Sequence, residues 1–331
     1  MRRSYCVGTR PQPQSMGTLT DRIGHLASLA PEQRRVTPPV PRSVKIELTG
    51  RCNFQCFFCA SHTRPREKSD MPWALYTRLA RELRELGVEQ LGVFYLGESF
   101  LCDGLADAIR YAKRECGYPY VFLTTNGRLA TAVRVRECML AGLDSLKFAV
   151  NCCGPGQLNA VARVEPEEFH VIVRNIRDAR RVRNEIEHET GHRCGLYASS
   201  LNYDEMQRSR MNPVLLDILP YVDEHYWLPL YGYPGTTATA SASRHAAEAP
   251  DRAEIKLKPL PCWPLFKEGH ITWDGWLSAC CLDHAARYHM GNLGQTPFLE
   301  AWHSPAFQQL REAHLRQDVR GTACEKCIAY G

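Results

Sequence analysis

A chain of 331 residues with a formal net charge of +5 and 23% charged residues has the composition of an ordinary globular protein, long enough for one large core and a small appendage. The charge excess is too small to imply nucleic acid. No run approaches the ~18 consecutive apolar residues that cross a bilayer, and no apolar core follows the N-terminal arginines, so a cytoplasmic protein without membrane association is expected. Fifteen cysteines in that setting point to metal ligation rather than disulfides.

Residues 1–40 carry scattered prolines and arginines, with a short helical pattern over 19–29, and read as a surface arm. Regular alternation then begins. Residues 44–48 form an apolar strand, and 72–86 a helix with Leu75, Leu79, Leu83 and Leu86 at helical spacing, closed by Gly87. A strand over 91–96 ends in Gly97-Glu98-Ser99, and a helix over 103–116 leads to the strand 120–124, which ends in Thr125-Asn126-Gly127. A helix over 130–141 precedes the strand 145–150, which ends at Asn151. A long amphipathic helix over 166–189, the strand 194–199, a helix over 212–221 and the strand 225–230 complete the series.

Six strands alternating with helices predict an α/β fold, a parallel sheet with crossover helices whose chemistry lies at the C-terminal ends of the strands. The polar motifs stand at those ends. Residues 233–259, rich in Thr, Ala, Ser and Gly, read as a linker or loop between a barrel at 41–232 and a C-terminal unit at 260–331. That unit holds a hairpin, 271–273 and 276–279 around Asp274-Gly275, and a helical stretch over 297–315 with Phe298, Trp302, Phe307, Leu310 and His314 packing the appendage.

The cysteines fall into two groups. Cys52-x3-Cys56-x2-Cys59 directly follows the first strand, and three thiolates so placed hold one four-iron cluster with one iron open to a further ligand. Zinc with His62 as fourth ligand is the competing use. Cys262, then Cys280 five residues after Gly275, then Cys324-x2-Cys327 form the second group. Four thiolates can enclose a four-iron cluster with no iron open, or a structural zinc, and Cys281 is a possible substitute for Cys280. Cys6, Cys102, Cys116, Cys138, Cys152, Cys153, Cys194 and, by default, Cys281 read as small buried hydrophobes or incidental surface residues.

The first motif and its position after strand one resemble the radical S-adenosylmethionine (SAM) superfamily. The second, C-x12-G-x4-C followed by C-x2-C, resembles the shortened SPASM domain called Twitch; the resemblance covers residues 44–331. It implies a partial (β/α)6 TIM-like barrel with a small C-terminal Twitch domain of β-hairpin plus helix, two 4Fe-4S clusters, and SAM chelating the open iron. Cys52, Cys56 and Cys59 would hold the reactive cluster; Cys262, Cys280, Cys324 and Cys327 would hold the auxiliary one. Phe58 would lay its backbone against the adenine. Gly97-Glu98 stands where the family has Gly-Gly-Glu, with Leu96 replacing the first glycine, and its carboxylate would take the SAM ammonium. Thr125 and Asn126 would bond the ribose or methionyl carboxylate, and Asn151 the ribose.

The implied activity is that of an oxidoreductase. Reductive cleavage of SAM gives a 5'-deoxyadenosyl radical that removes a hydrogen atom from substrate. The auxiliary spacing is similar to that of radical SAM dehydrogenases acting on the aminocyclitol 2-deoxy-scyllo-inosamine, so oxidation of a sugar- or aminocyclitol-type alcohol is the leading expectation. Peptide maturation by crosslinking or epimerisation is the second, with Cys102, Cys152, Cys153 or Cys281 as hydrogen donor. A non-catalytic metal scaffold is the third. The partners implied are a small-molecule or peptide substrate and an electron donor such as flavodoxin or ferredoxin. Tyr226, Trp227, Tyr231 and Tyr233 would form an aromatic wall near the barrel opening. Arg163 and Arg174 are candidates for attracting an acidic substrate, while Arg180, Arg181 and Arg183, on the long helix, are expected to be solvated.

Overall fold

In the computed structural model, the residues described are 28–59, 67–202, 206–229, 259–281, 283, 288–325 and 327. The expected arm up to residue 27, the linker over 233–258, His62, Tyr231 and Tyr233 lie outside them.

The first strand, β1 (Ser43–Ile46), buries Val44 and Ile46 completely on one face. It pairs in parallel with β2 (Gln90–Gly92), followed by β3 (Tyr120–Thr125), β4 (Ser145–Ala149), β5 (Gly195–Asn202) and β6 (Glu224–Pro229), all parallel. The crossovers are α1 (Trp73–Glu85), α2 (Leu105–Arg110, continued by a π-helical turn over Tyr111–Glu115), α3 (Ala132–Leu140), α4 (Pro155–Ala162), α5 (Glu168–Thr190) and α6 (Gln207–Ile218). This is the partial six-unit barrel expected. Tyr76, Leu79, Ala80 and Leu83 make the buried stripe of α1, and Tyr76 donates to the Ala108 carbonyl at 2.7 Å, tying α1 to α2. The short helix α4 was not foreseen; Pro155 in its first turn is the one local signal for it.

The C-terminal part continues the barrel sheet. After the four-residue helix α7 (Pro264–Lys267), β7 (Glu268–Ile271) lies parallel to the free side of β1, in register from Ser43 with Glu268 to Ile46 with Ile271. The expected hairpin then brings β8 (Trp276–Ser278) antiparallel to β7, and β9 (His289–Asn292) pairs antiparallel with β8. One nine-stranded sheet results, in the order β6-β5-β4-β3-β2-β1-β7-β8-β9. The helical stretch resolves into α8 (Phe298–Trp302) and α9 (Pro305–Leu315), and the Phe298, Trp302 and Phe307 rings pack together in full burial.

The long helix α5 departs from expectation at one position. Arg183, expected to be solvated, is 1% exposed, and its guanidinium donates to both carboxylate oxygens of Asp223 at 3.2 and 3.3 Å. Arg183 falls on the buried stripe with Ile172, Ile176, Ala179 and Ile186, and the acid placed by the turn before β6 compensates its charge there.

Among the described residues no helix is long and apolar enough to cross a membrane.

Candidate functional site

Inner and outer faces of the barrel strands differ in a regular way. Val121, Leu123, Leu146, Phe148, Leu196 and Ala198 are buried under the helices, while the alternate residues Phe122, Thr124, Lys147, Ala149 and Tyr197 are half-buried. The inner face therefore lines a lumen that side chains do not fill.

At the C-terminal mouth, the loop after β1 carries Cys52, Cys56 and Cys59, all partly exposed. Three anchors shape it. Arg51 forms a two-pronged ion pair with Asp70, at 3.0 and 2.6 Å, and donates to the Leu101 carbonyl at 3.0 Å. The amides of Gln55 and Phe57 donate to the carbonyls of Ala162 and Val161, at 2.9 and 3.0 Å, docking the loop on the end of α4. Third, the Glu98 amide donates to the Arg51 carbonyl at 2.8 Å, an approach possible only because Gly97 has no side chain: a Cβ there would lie 2.0 Å from the Thr49 oxygen.

Glu98, Thr125 and Asn126, foreseen separately, meet in one network. One Glu98 carboxylate oxygen accepts from the Thr125 hydroxyl at 2.7 Å and the Phe100 amide at 3.2 Å, and the other accepts from the Asn126 amide at 2.8 Å. Burial, the larger effect, pushes the Glu98 carboxyl above its ordinary value against these donors. The Asn126 side-chain amide donates to Oδ1 of Asn53 at 2.8 Å, so the ends of β2 and β3 are wired to the cysteine loop. Asn53 was missed by motif reading, and its Nδ2 is buried without a hydrogen-bond partner among the described residues. Asn151 lies at the end of β4, where its Oδ1 accepts from the Leu201 amide at 3.1 Å. Phe58 is half-buried in the loop, edge-on to Phe57 at 5.4 Å.

Three thiols in one loop supply the donor chemistry of an iron-sulfur cluster, although among the described residues no three His, Cys, Asp or Glu side chains are grouped so as to hold a metal ion. Burial raises the Cys56 thiol well above its ordinary value, and the adjacent thiols of Cys59, Cys52 and Cys152 raise it further. Thiols crowded this closely are stable as thiolates only around cations.

The second cysteine group gathers at the other end of β1, where β7 begins and β8 ends. Burial raises Cys262 well above its ordinary value, as do its thiol neighbours Cys281, Cys324 and Cys327. Cys280 is hydrogen-bonded to Cys281, and its carbonyl accepts from the Tyr95 hydroxyl at 2.6 Å. The structure thus places Cys281 among the group together with the Cys280 singled out by spacing. At a rise of about 3.3 Å per residue, residues 43–48 separate the two ends by about 17 Å.

The hairpin turn reaches back to the first group. Trp273 donates its backbone amide to Glu47 at 3.1 Å and its indole N–H to the Glu67 carbonyl at 3.2 Å, covering Gly50, where a Cβ would meet the indole at 2.5 Å.

Between the two groups lies a buried charged cluster from β1 and β7. Lys45 Nζ is 2.8 Å from Glu268 Oε2, and His270 Nε2 is 2.9 Å from the same oxygen. Burial opposes the Glu268 charge, but Lys45 and His270 overcome it and bring the carboxyl down to about 2. An ionised acceptor fixes the proton of His270 on Nε2, and Nδ1, fully buried, has no partner among the described residues. The Tyr95 ring packs against the imidazole at 5.2 Å.

Residues 46–190 match the radical SAM superfamily model, and residues 262–328 the SPASM model, an iron-sulfur cluster-binding domain. A PqqA peptide cyclase from Streptomyces rochei is 32% identical over 127 residues, 38% of this chain and 34% of that protein. The match thus spans about a third of that relative's length. Among solved structures, Streptococcus suis SuiB bound to its precursor peptide SuiA superimposes with a TM-score of 0.66 at 12% identity, covering 98% of this chain and 82% of SuiB. BtrN in complex with AdoMet and 2-DOIA gives a TM-score of 0.51 at 14% identity, covering 83% of this chain and 87% of BtrN.

Proposed function

We propose, for a chain that belongs to the radical SAM superfamily and carries a C-terminal SPASM-type iron-sulfur domain, the two-electron oxidation of a sugar- or aminocyclitol-type alcohol held in the barrel lumen. SAM and 4Fe-4S clusters are the cofactors these two domains imply. When bound, SAM at the first cluster supplies hydrogen-atom abstraction and the auxiliary cluster an electron sink.

The chain's own residues divide the remaining work. Cys52, Cys56 and Cys59 hold the first cluster at the C-terminal mouth; Cys262, Cys280, Cys324 and Cys327 hold the auxiliary cluster at the opposite end. Glu98 has three of its acceptor positions filled by Thr125, Asn126 and Phe100, which leaves one for the SAM ammonium. Asn53 Nδ2 is a buried donor beside the cysteine loop, suited to the methionyl carboxylate. The backbone at Phe58 and Gly97 and the side chains of Thr125, Asn126 and Asn151 shape the rest of that mouth. Trp273 packs its indole over Gly50 at the entry to the loop.

Conversion of an alcohol to a carbonyl also requires that the hydroxyl proton leave. The observation offered for this reading is His270, fully buried, its Nε2–H committed to Glu268 and its Nδ1 without a partner among the described residues, although burial disfavours the protonated ring. Lys45 holds Glu268 ionised throughout.

A second reading, peptide maturation, draws on the outer edge of β6, which pairs with no strand among the described residues and can accept an extended peptide. The precursor peptide bound by SuiB and the peptide cyclase named among the relatives also favour it.

Incubating reduced, anaerobically reconstituted protein and SAM with candidate polyols and peptides separates the two. Loss of two hydrogens from a polyol supports oxidation. A crosslinked peptide, or one epimerised with solvent hydrogen, supports maturation and contradicts the first reading.

A further inference from the structure

Among the described residues, the lumen carries a cation, Lys147, that forms no ion pair. Lys147 sits on β4 between Leu146 and Phe148, both fully buried on the helix side, so its own side chain projects inward. Its Nζ lies 3.0 Å from the hydroxyl of Tyr226 on β6 and 5.5 Å from the ring centroid. Among the described residues no carboxylate lies within ion-pairing distance of it.

The acids that share the inner face are engaged elsewhere. Glu268 is held by Lys45 and His270, and Glu47 by the Trp273 amide. Glu224 is level with Lys147 through the register Lys147, Tyr197, Glu224, but Lys147 reaches past it to Tyr226, one residue pair nearer the SAM mouth.

The surrounding wall is aromatic. Lys45 lies over the Phe94 ring at 5.7 Å, and Phe94 meets Phe122 edge-on at 5.5 Å. Lys45 and Tyr226 stand near enough to interact electrostatically, although β1 and β6 are five sheet spacings apart, about 24 Å if the sheet were flat. Those two residues can approach only across the lumen, which makes Lys147 and Tyr226 part of its lining.

We propose that Lys147 and Tyr226 anchor a carboxylate of the substrate, so that the molecule oxidised is an acid: a sugar acid or an acidic peptide residue. The assignment rests on the reading of the lumen as the substrate site. An ammonium and a phenol that converge at hydrogen-bond distance offer two donors to one carboxylate, and the half-buried setting strengthens them over the same groups in water. A cationic aminocyclitol would meet Lys147 without compensation.

Equilibrium binding to the reconstituted holoenzyme with SAM tests this. One arm compares galacturonate, galactose and galactosamine; the other compares the capped peptides Ac-Ala-Glu-Ala-NH2 and Ac-Ala-Gln-Ala-NH2. The acid should bind about tenfold or more tightly than its neutral counterpart in one arm, which identifies the source of the carboxylate. Lys147→Met should abolish that preference, Tyr226→Phe should weaken it several-fold, and exposed Arg181→Ala should leave it intact. Lack of acid preference in both arms, or its persistence in both Lys147→Met and Tyr226→Phe, overturns the anchor. Formation of 5'-deoxyadenosine by the wild type is scored separately: its failure counts against the enzymatic reading and leaves the binding result standing.

Discussion

Gly97 and Thr49 come so close that a Cβ on the glycine would stand 2.0 Å from the threonine's carbonyl oxygen. This contact lets the end of β2 touch the entry to the cysteine loop, and it explains why the second glycine of the motif is kept where Leu96 replaces the first. Gly97→Ala should push the two backbones apart, at a cost of roughly 1–3 kcal/mol. Its iron content after reconstitution should fall well below that of the wild type. An alanine variant with wild-type iron and unchanged melting temperature would show that the loop is positioned by other contacts.

The two adjacent cysteines after β8 have separable roles. Spacing from Gly275 assigns Cys280 to the auxiliary cluster, while Cys281 lies beside both the Cys262 group and Lys45. Cys280→Ser should lose one cluster, about four irons per chain, and Cys281→Ser should keep both. Iron and sulfide analysis decides it, and the reverse pattern would exchange the two assignments.

His314 makes stability depend on pH. Burial lowers its pKa to about 4, and its Nδ1 accepts the Cys262 amide at 3.2 Å, a bond that requires the neutral ring. The folded value lies below the unfolded one, so the contribution is complete above about pH 6.5 and is lost as pH falls toward 4. Between pH 6.5 and 5 the wild type should lose about 2 kcal/mol of stability through this group, seen by denaturant titration. His314→Asn should be less stable at neutral pH and lack that part of the slope. An unchanged slope in the variant would place the effect elsewhere.

Much of this was legible in the sequence because it is local. The three cysteines in eight residues, the strand-helix alternation and the Asp274-Gly275 turn are each written within a short window, and Gly275 takes the positive φ of +85° that the turn requires. What was not legible depends on partners far apart. Ser43 pairs with Glu268 across more than two hundred positions, so nothing near either residue announces that β7 extends the barrel sheet. Arg183 looks solvated until Asp223 arrives beside it. Asn53 gains meaning only when Asn126 reaches it, and Lys147 only when the curled sheet brings Tyr226 within 3.0 Å.

On the proposed function, an open iron at the barrel mouth faces a closed cluster at the opposite end. Electron paramagnetic resonance of the anaerobically reconstituted, reduced protein tests it most directly, on samples assayed for about eight irons and eight sulfides per chain. Two cluster signals are expected, one of which shifts when SAM is added and disappears in Cys56→Ala. A single signal, or two signals indifferent to SAM, would contradict it.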